Sequence, residues 1–220
     1  MPQRSIVFVH TSPAAIPPLA RYYAEKAPDL LITNLLDDAI LRFFREGDNE
    51  SARSALEAMI ARAEDAYSAE AILVTCSSVS MSMIADLSAL TAIPLIKIDL
   101  PMAEAAVRAA KTVGVVISFP PTEGPTTRLL NEAAREARKE IKIVTGKEPD
   151  AYDALLKGDT ATHDRLLTAR AHELFSDGAD AIVLAQVSMA ALQPRLAEEI
   201  PVPVFSSLET SLAAVREAIA

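Results

Sequence analysis

The chain has 220 residues, half of them hydrophobic, with a net charge of −9 and one cysteine. That length fits one large domain or two lobes of about 100 residues each, with enough apolar side chains for a sizeable core. The negative balance argues against nucleic-acid and anionic-membrane partners, and no apolar run reaches the roughly 18 residues of a membrane span.

The opening residues, MPQRSIVFVHTSP, lack the long apolar region of an export signal, and a lone cysteine forms no internal disulfide. The expected compartment is therefore the reducing cytoplasm. No CxxC or HExxH pattern occurs, and His10, His163 and His172 lack metal-ligand spacing, so no metal is expected.

The chain alternates short β-rich runs with helical periods. SIVFVH (5–10) reads as a strand, followed by Ile16, Leu19, Ala20, Tyr23 and Ala27 at helical spacing. LLITNLL (30–36) is the second strand. Ala52, Leu56, Met59, Ile60, Ala63 and Tyr67 mark a long amphipathic helix. AILVT (71–75) is the third strand, with Val79, Met83, Leu87 and Leu90 on the helix behind it, and PLIKID (94–99) is the fourth. The order then recurs. TVGVVIS (112–118), IKIVTG (141–146), AIVLA (181–185) and PVPVFS (201–206) read as strands. Apolar stripes at Leu129–Ala137 and Leu166–Phe175 lie between them, and Leu212, Val215 and Ile219 mark a last helix.

Such βα alternation predicts parallel sheets covered by helices. EAILVTCSSVSM (70–81) aligns without gaps on DAIVLAQVSMA (180–190), placing Cys76 on Gln186 and Ser78 on Ser188. The offset, 110 residues, is half the chain. A duplication explains four strands in the same order. The predicted fold is α/β, with two pseudo-symmetric lobes, each a four-stranded parallel sheet flanked by helices. The lobes are expected at 1–105 and 106–207, with the helix at 208–220 returning to the first.

In open parallel sheets ligands bind beyond the carboxyl ends of the strands, so the expected site is the cleft between the lobes. Cys76 and Gln186 each follow a third strand there. Cys76 is the candidate catalytic residue. Ser77, Ser78 and Ser80 suit a helix start, whose N–H groups would lower the thiol's pKa and hold a carboxylate. Thr11 and Ser12 after the first strand, Ser118 and Thr122 after its counterpart, and Ser188 are candidates to bind carboxylate oxygens; all are equally common turn and cap formers. His10 is a candidate acid or orienting donor, though a histidine at a strand end is more often structural. His163 is expected to be solvated and His172 to lie on a helix face. Asp37 and Asp38 read most simply as a helix start.

FVHTSPAAIPPL, LVTCSSVS, VGVVISFPPTEGPTTRLL, LKGDTATHD and IVLAQVSMA together resemble the aspartate/glutamate racemase superfamily, which includes hydantoin racemases, maleate isomerases and arylmalonate decarboxylases. The resemblance covers almost the whole chain. It implies an active site between two α/β lobes, no cofactor, a small-molecule carboxylate substrate and a homo-oligomer. Racemases of this kind use two cysteines on opposite faces of the substrate carbon. Cys76 matches the first, and Gln186 stands at the second. An amide neither gives nor takes a proton near neutral pH, though it donates and accepts hydrogen bonds. One-thiol chemistry remains: one-sided proton transfer, addition during cis–trans isomerisation, or protonation after loss of CO2. The expected function is thus a racemase-like isomerase. A single-cysteine decarboxylase or other lyase, and a carboxylate-binding protein without turnover, are the alternatives.

Overall fold

The computed structural model describes residues 3–220. In chain order the elements are β1 (Arg4–His10), α1 (Ile16–Lys26), β2 (Leu30–Leu36), α2 (Ala39–Glu46), α3 (Asn49–Tyr67), β3 (Ala71–Val74), α4 (Met81–Ser88), β4 (Leu95–Lys97) and α5 (Leu100–Ala109). There follow β5 (Thr112–Ile117), α6 (Glu123–Glu136), β6 (Lys142–Lys147), α7 (Pro149–Leu156), α8 (Thr160–Ser176), β7 (Ala181–Leu184), α9 (Gln193–Glu199), β8 (Val204–Phe205) and α10 (Ser207–Ala218). Short 3-10 turns occupy Pro13–Ala15, Pro120–Thr122 and Val187–Leu192.

Two separate parallel sheets form, ordered β2-β1-β3-β4 and β6-β5-β7-β8. Parallel neighbours need crossover helices, which the alternation supplies. The registers repeat: Ile6 pairs with Ile32 and Ala71 in the first sheet, and Val113 with Ile143 and Ala181 in the second. The fourth strands repeat as well, Ile72 with Leu95 and Ile182 with Val204. β8 is shorter than the expected run 201–206. Pro201 and Pro203 have no N–H for the ladder, although the Pro203 carbonyl still accepts from the Ile182 N–H at 2.9 Å.

The chain divides into two compact units. One runs to Ile98 and takes in Leu208–Ala220; the other spans Asp99–Ser207. In the first unit β3 is buried along its whole length, and Val7, Val9, Ile72 and Val74 pack against Leu56, Ile60, Ala63 and Leu87 from the helices. Asp48 starts α3 by accepting the Ser51 N–H, leaving Ala52, Leu56, Ile60 and Ala63 on the buried face. The last helix belongs here: the Tyr23 hydroxyl lies 3.3 Å from the Ser211 hydroxyl, and Arg216 forms a bidentate pair with Asp29 at 3.0 and 2.8 Å.

In the second unit Val116, Ile182 and Leu184 pack against Leu167, Ala171, Leu174 and Leu196. Asp159 caps α8 as Asp48 caps α3, here through the Thr162 N–H. Gly114 on β5 lies under α8, where an added Cβ would sit 2.9 Å from the Ala179 Cβ and 3.1 Å from the Leu174 Cβ. Only glycine lets the helix approach the sheet that closely.

Two expected features differ. The helix after β3 runs only Met81–Ser88, so Val79 lies in the turn before it and Leu90 beyond its end, 57% exposed. The short helices α2 and α7, each following the second strand of its sheet, carry too few turns to show a period in the sequence. Among the described residues no helix is long and apolar enough to cross a membrane.

Candidate active site

Cys76 lies two residues beyond the end of β3, in a turn closed by the Val79 N–H on the Cys76 carbonyl at 3.3 Å. It does not sit at a helix N-terminus. The cap of α4 is Ser80, whose hydroxyl accepts the Met83 N–H. The turn nevertheless turns donors inward: the N–H groups of Ser78 and Val79 and the Thr11 hydroxyl donate to the Cys76 sulfur. Lys97 adds a favourable charge, for which the local sequence around Cys76 holds no signal. It ends β4, pairs in register with Val74, and is 2% exposed.

These donors and Lys97 favour the thiolate, yet burial outweighs them and pushes the Cys76 pKa up. Cys76 belongs to the buried apolar cluster that also holds Val7, Val9, Val74 and Val79, and such surroundings solvate an anion poorly. The expected lowering of the thiol's pKa is therefore reversed. The turn supplies the donors, whereas the tertiary core supplies the larger, opposing effect.

His10 at the end of β1 is fully buried, with Nδ1 2.8 Å from the Thr75 hydroxyl and Nε2 2.8 Å from the Asn34 side chain. The ring thereby ties the ends of β1, β2 and β3 together. Burial pulls its pKa down, with the Asn34 contact opposing, so it is held neutral. Both ring nitrogens of His10 are engaged by side chains of its own unit. Thr11 is buried against the sulfur, while Ser12 caps the 3-10 turn by accepting the Ala14 N–H at 3.3 Å. Ser77 and Ser78 are buried in the Cys76 turn. Asp37 accepts the Ala39 N–H at the start of α2, in keeping with its reading as a helix start.

The second unit repeats this backbone around different chemistry. Gln186 lies two residues past β7, and the Met189 N–H closes its turn as Val79 closes that of Cys76. The Thr75 N–H bonds the Val9 carbonyl, and the Ala185 N–H the Val116 carbonyl, at matching places of the two sheets. Ser118 stands where Thr11 does, one residue past its central strand. Its N–H and hydroxyl donate to Gln186 Oε1 at 3.0 and 3.3 Å. A backbone N–H cannot donate to an amide NH2, so this contact fixes which end of the Gln186 side chain is oxygen. The buried Nε2 is left without a protein partner. Thr122 is buried in the turn after β5 and Ser188 is half-buried beyond β7.

His163 departs from expectation. It is 2% exposed, with Nδ1 2.7 Å from Asp164 and a buried Nε2 lacking a protein partner. The apolar stripe of α8, Leu167 and Ala171, extended one turn back, lands on it. That periodicity is the signal in the sequence that points to its burial. His172 is on the exposed side of α8, 3.0 Å from Glu199. Among the described residues no group of three or more His, Cys, Asp or Glu could hold a metal ion.

Together these features define an α/β protein built twice from the same strand order, with a donor-lined cysteine past the third strand of one sheet and a glutamine at the matching place of the other. The chain belongs to the Asp/Glu/hydantoin racemase family, whose model matches residues 3–216. Its fold is similar to that of glutamate racemase isoform RacE1 from Bacillus anthracis, with a TM-score of 0.78 and 18% identity over 99% of this chain and 82% of that one. Allantoin racemase from Klebsiella pneumoniae gives a TM-score of 0.73 and 18% identity, covering 99% of this chain and 88% of that one. Unliganded arylmalonate decarboxylase gives 0.61 and 15%, covering 98% of this chain and 93% of that one. No curated protein matches the chain in sequence.

Proposed function

We propose that this protein is a cofactor-independent isomerase of racemase type, in which Cys76 transfers a proton at the carbon beside the carboxylate of a small organic or amino acid. The environment of Cys76 carries this reading. The sulfur has three hydrogen-bond donors and a buried lysine acting on it, while the surrounding core keeps it protonated at neutral pH. A group supported in both charge states can give a proton and take it back. The Ser77 and Ser78 side chains lie in the same turn, suited to the oxygens of a carboxylate or enolate. Gln186 offers its unpartnered Nε2 as a hydrogen-bond donor to a ligand oxygen and takes no part in proton transfer.

A lyase is the second reading, favoured by the protonated state of a lone thiol. When a carboxylate leaves as CO2, its bonding electron pair stays on carbon. The S–H proton of Cys76 then goes to that carbon, leaving a thiolate. The fold's similarity to arylmalonate decarboxylase is consistent with this reading but does not select it.

The test is an NMR screen of small mono- and dicarboxylic acids in D2O with wild-type protein and Cys76→Ser. Cys76-dependent hydrogen exchange or isomerisation supports the isomerase, and Cys76-dependent CO2 release the lyase. Binding without turnover across the panel would leave a carboxylate-binding protein.

A further inference from the structure

Among the described residues Lys97 is the one buried lysine or arginine. Asp99, 1% exposed, follows two residues later in the chain, and removing the Lys97 ammonium from water is costly unless it is paired. Its position is set by the sheet. β3 and β4 are parallel neighbours, and the Cα of Lys97 pairs with that of Val74, two residues before Cys76. The corresponding place in the second sheet, one residue past Phe205, is Ser206, and there Gln186 replaces the cysteine. Lysine thus accompanies the thiol, and a neutral hydroxyl accompanies the amide.

We infer that Lys97 is the countercharge of the Cys76 thiolate, and so a positioning residue that makes proton transfer from this thiol reversible. The inference rests on the reading of Cys76 as the proton carrier. When the S–H proton moves to a substrate carbon, the electron pair of the S–H bond stays on sulfur. That anion is left within the apolar cluster to which Cys76 belongs, with Val7, Val9, Val74 and Val79 among its members. The N–H groups of Ser78 and Val79 and the Thr11 hydroxyl are dipoles, and Lys97 is the one full charge that bears on the sulfur. His10, on the neighbouring strand, is held neutral and supplies none. No carboxylate figures among the groups acting on Cys76. The role inferred for Lys97 depends on charge and not on proton transfer.

Cys76 is the only cysteine of the chain, so its alkylation by iodoacetamide reads directly as added mass on the intact protein. The pH dependence of that rate would be measured for wild type, Lys97→Met, Lys97→Gln and Lys97→Arg, each checked for native circular dichroism. The neutral variants should move the profile to higher pH. At a given pH below the midpoint, the rate should fall about tenfold for every pH unit by which the midpoint rises. Lys97→Arg should restore the wild-type midpoint. Lys97→Gln, which retains polarity, serves if Lys97→Met does not fold. A profile in either neutral variant that coincides with wild type overturns the inference. So does a midpoint in Lys97→Arg that moves as far as in the neutral variants. The outcome is separable from the proposed reaction. An unmoved profile alongside Cys76-dependent turnover removes Lys97 alone, whereas a displaced profile without turnover on any acid removes the reaction alone.

Discussion

Ser118 holds Gln186 by its oxygen, through an N–H at 3.0 Å and a hydroxyl at 3.3 Å, and so presents the amide nitrogen as a donor. In the first unit Thr11 stands in the same relation to Cys76. The scaffold is duplicated, and the chemistry placed on it is not.

This contact makes Gln186→Glu informative. A carboxylate still accepts from Ser118 but has no N–H to offer a ligand. Stability measured by urea unfolding should stay close to wild type, while apparent substrate affinity falls about tenfold, equivalent to about 1.4 kcal/mol. Gln186→Ala leaves the Ser118 N–H unpaired as well and should cost about 1–3 kcal/mol of stability. Unchanged KM in both variants would remove Gln186 from binding.

Turnover in D2O should be one-sided. With a single thiol, deuterium enters with one stereochemical sense, and the two enantiomers of a confirmed substrate are not racemised symmetrically. Optical rotation followed beside deuterium uptake reads this directly. Cys76→Ser should abolish uptake with the fold intact. Full activity in that variant would end the thiol mechanism.

The raised pKa of Cys76 links to stability. A group whose folded pKa lies above its unfolded value binds more protons in the native state. Its contribution is fully present below about pH 8.5, the ordinary thiol value, and is lost as pH rises through the folded value. Urea unfolding between neutral and alkaline pH should show a decline that is smaller in Cys76→Ser. Equal declines would mean the native thiol is not held protonated.

His10 behaves in the opposite sense. Its folded pKa is depressed, so the stability it confers is present above about pH 6.5, the unfolded value, and is lost as pH falls through the folded value. His10→Gln should flatten the acid side of the stability profile. It should also lower stability at neutral pH by about 1–3 kcal/mol, because Thr75 or Asn34 loses a buried partner.

Gly114→Ala tests the packing of β5 under α8. The added methyl meets Ala179 and Leu174 at distances too short for ordinary van der Waals contact. Overpacking of this kind should cost about 1–3 kcal/mol, read as a lowered urea midpoint with an unchanged slope.

The sequence by itself determined the strands, their number and their repetition. AILV of β3 and AIVL of β7 are short runs buried on both faces, and their periodic neighbours are long enough to show a helical face. It also placed Cys76 and Gln186 at equivalent positions, because a gapless alignment preserves register. The tertiary structure alone decided the direction in which the Cys76 pKa moves and the approach of Lys97. Lys97 is 21 residues from Cys76 in the chain but one strand away in the sheet. A pKa depends on everything that displaces water around a group, and those neighbours come from β1, β3 and β4 at once. Local sequence records the donors of one turn; only the assembled core sets the desolvation that outweighs them.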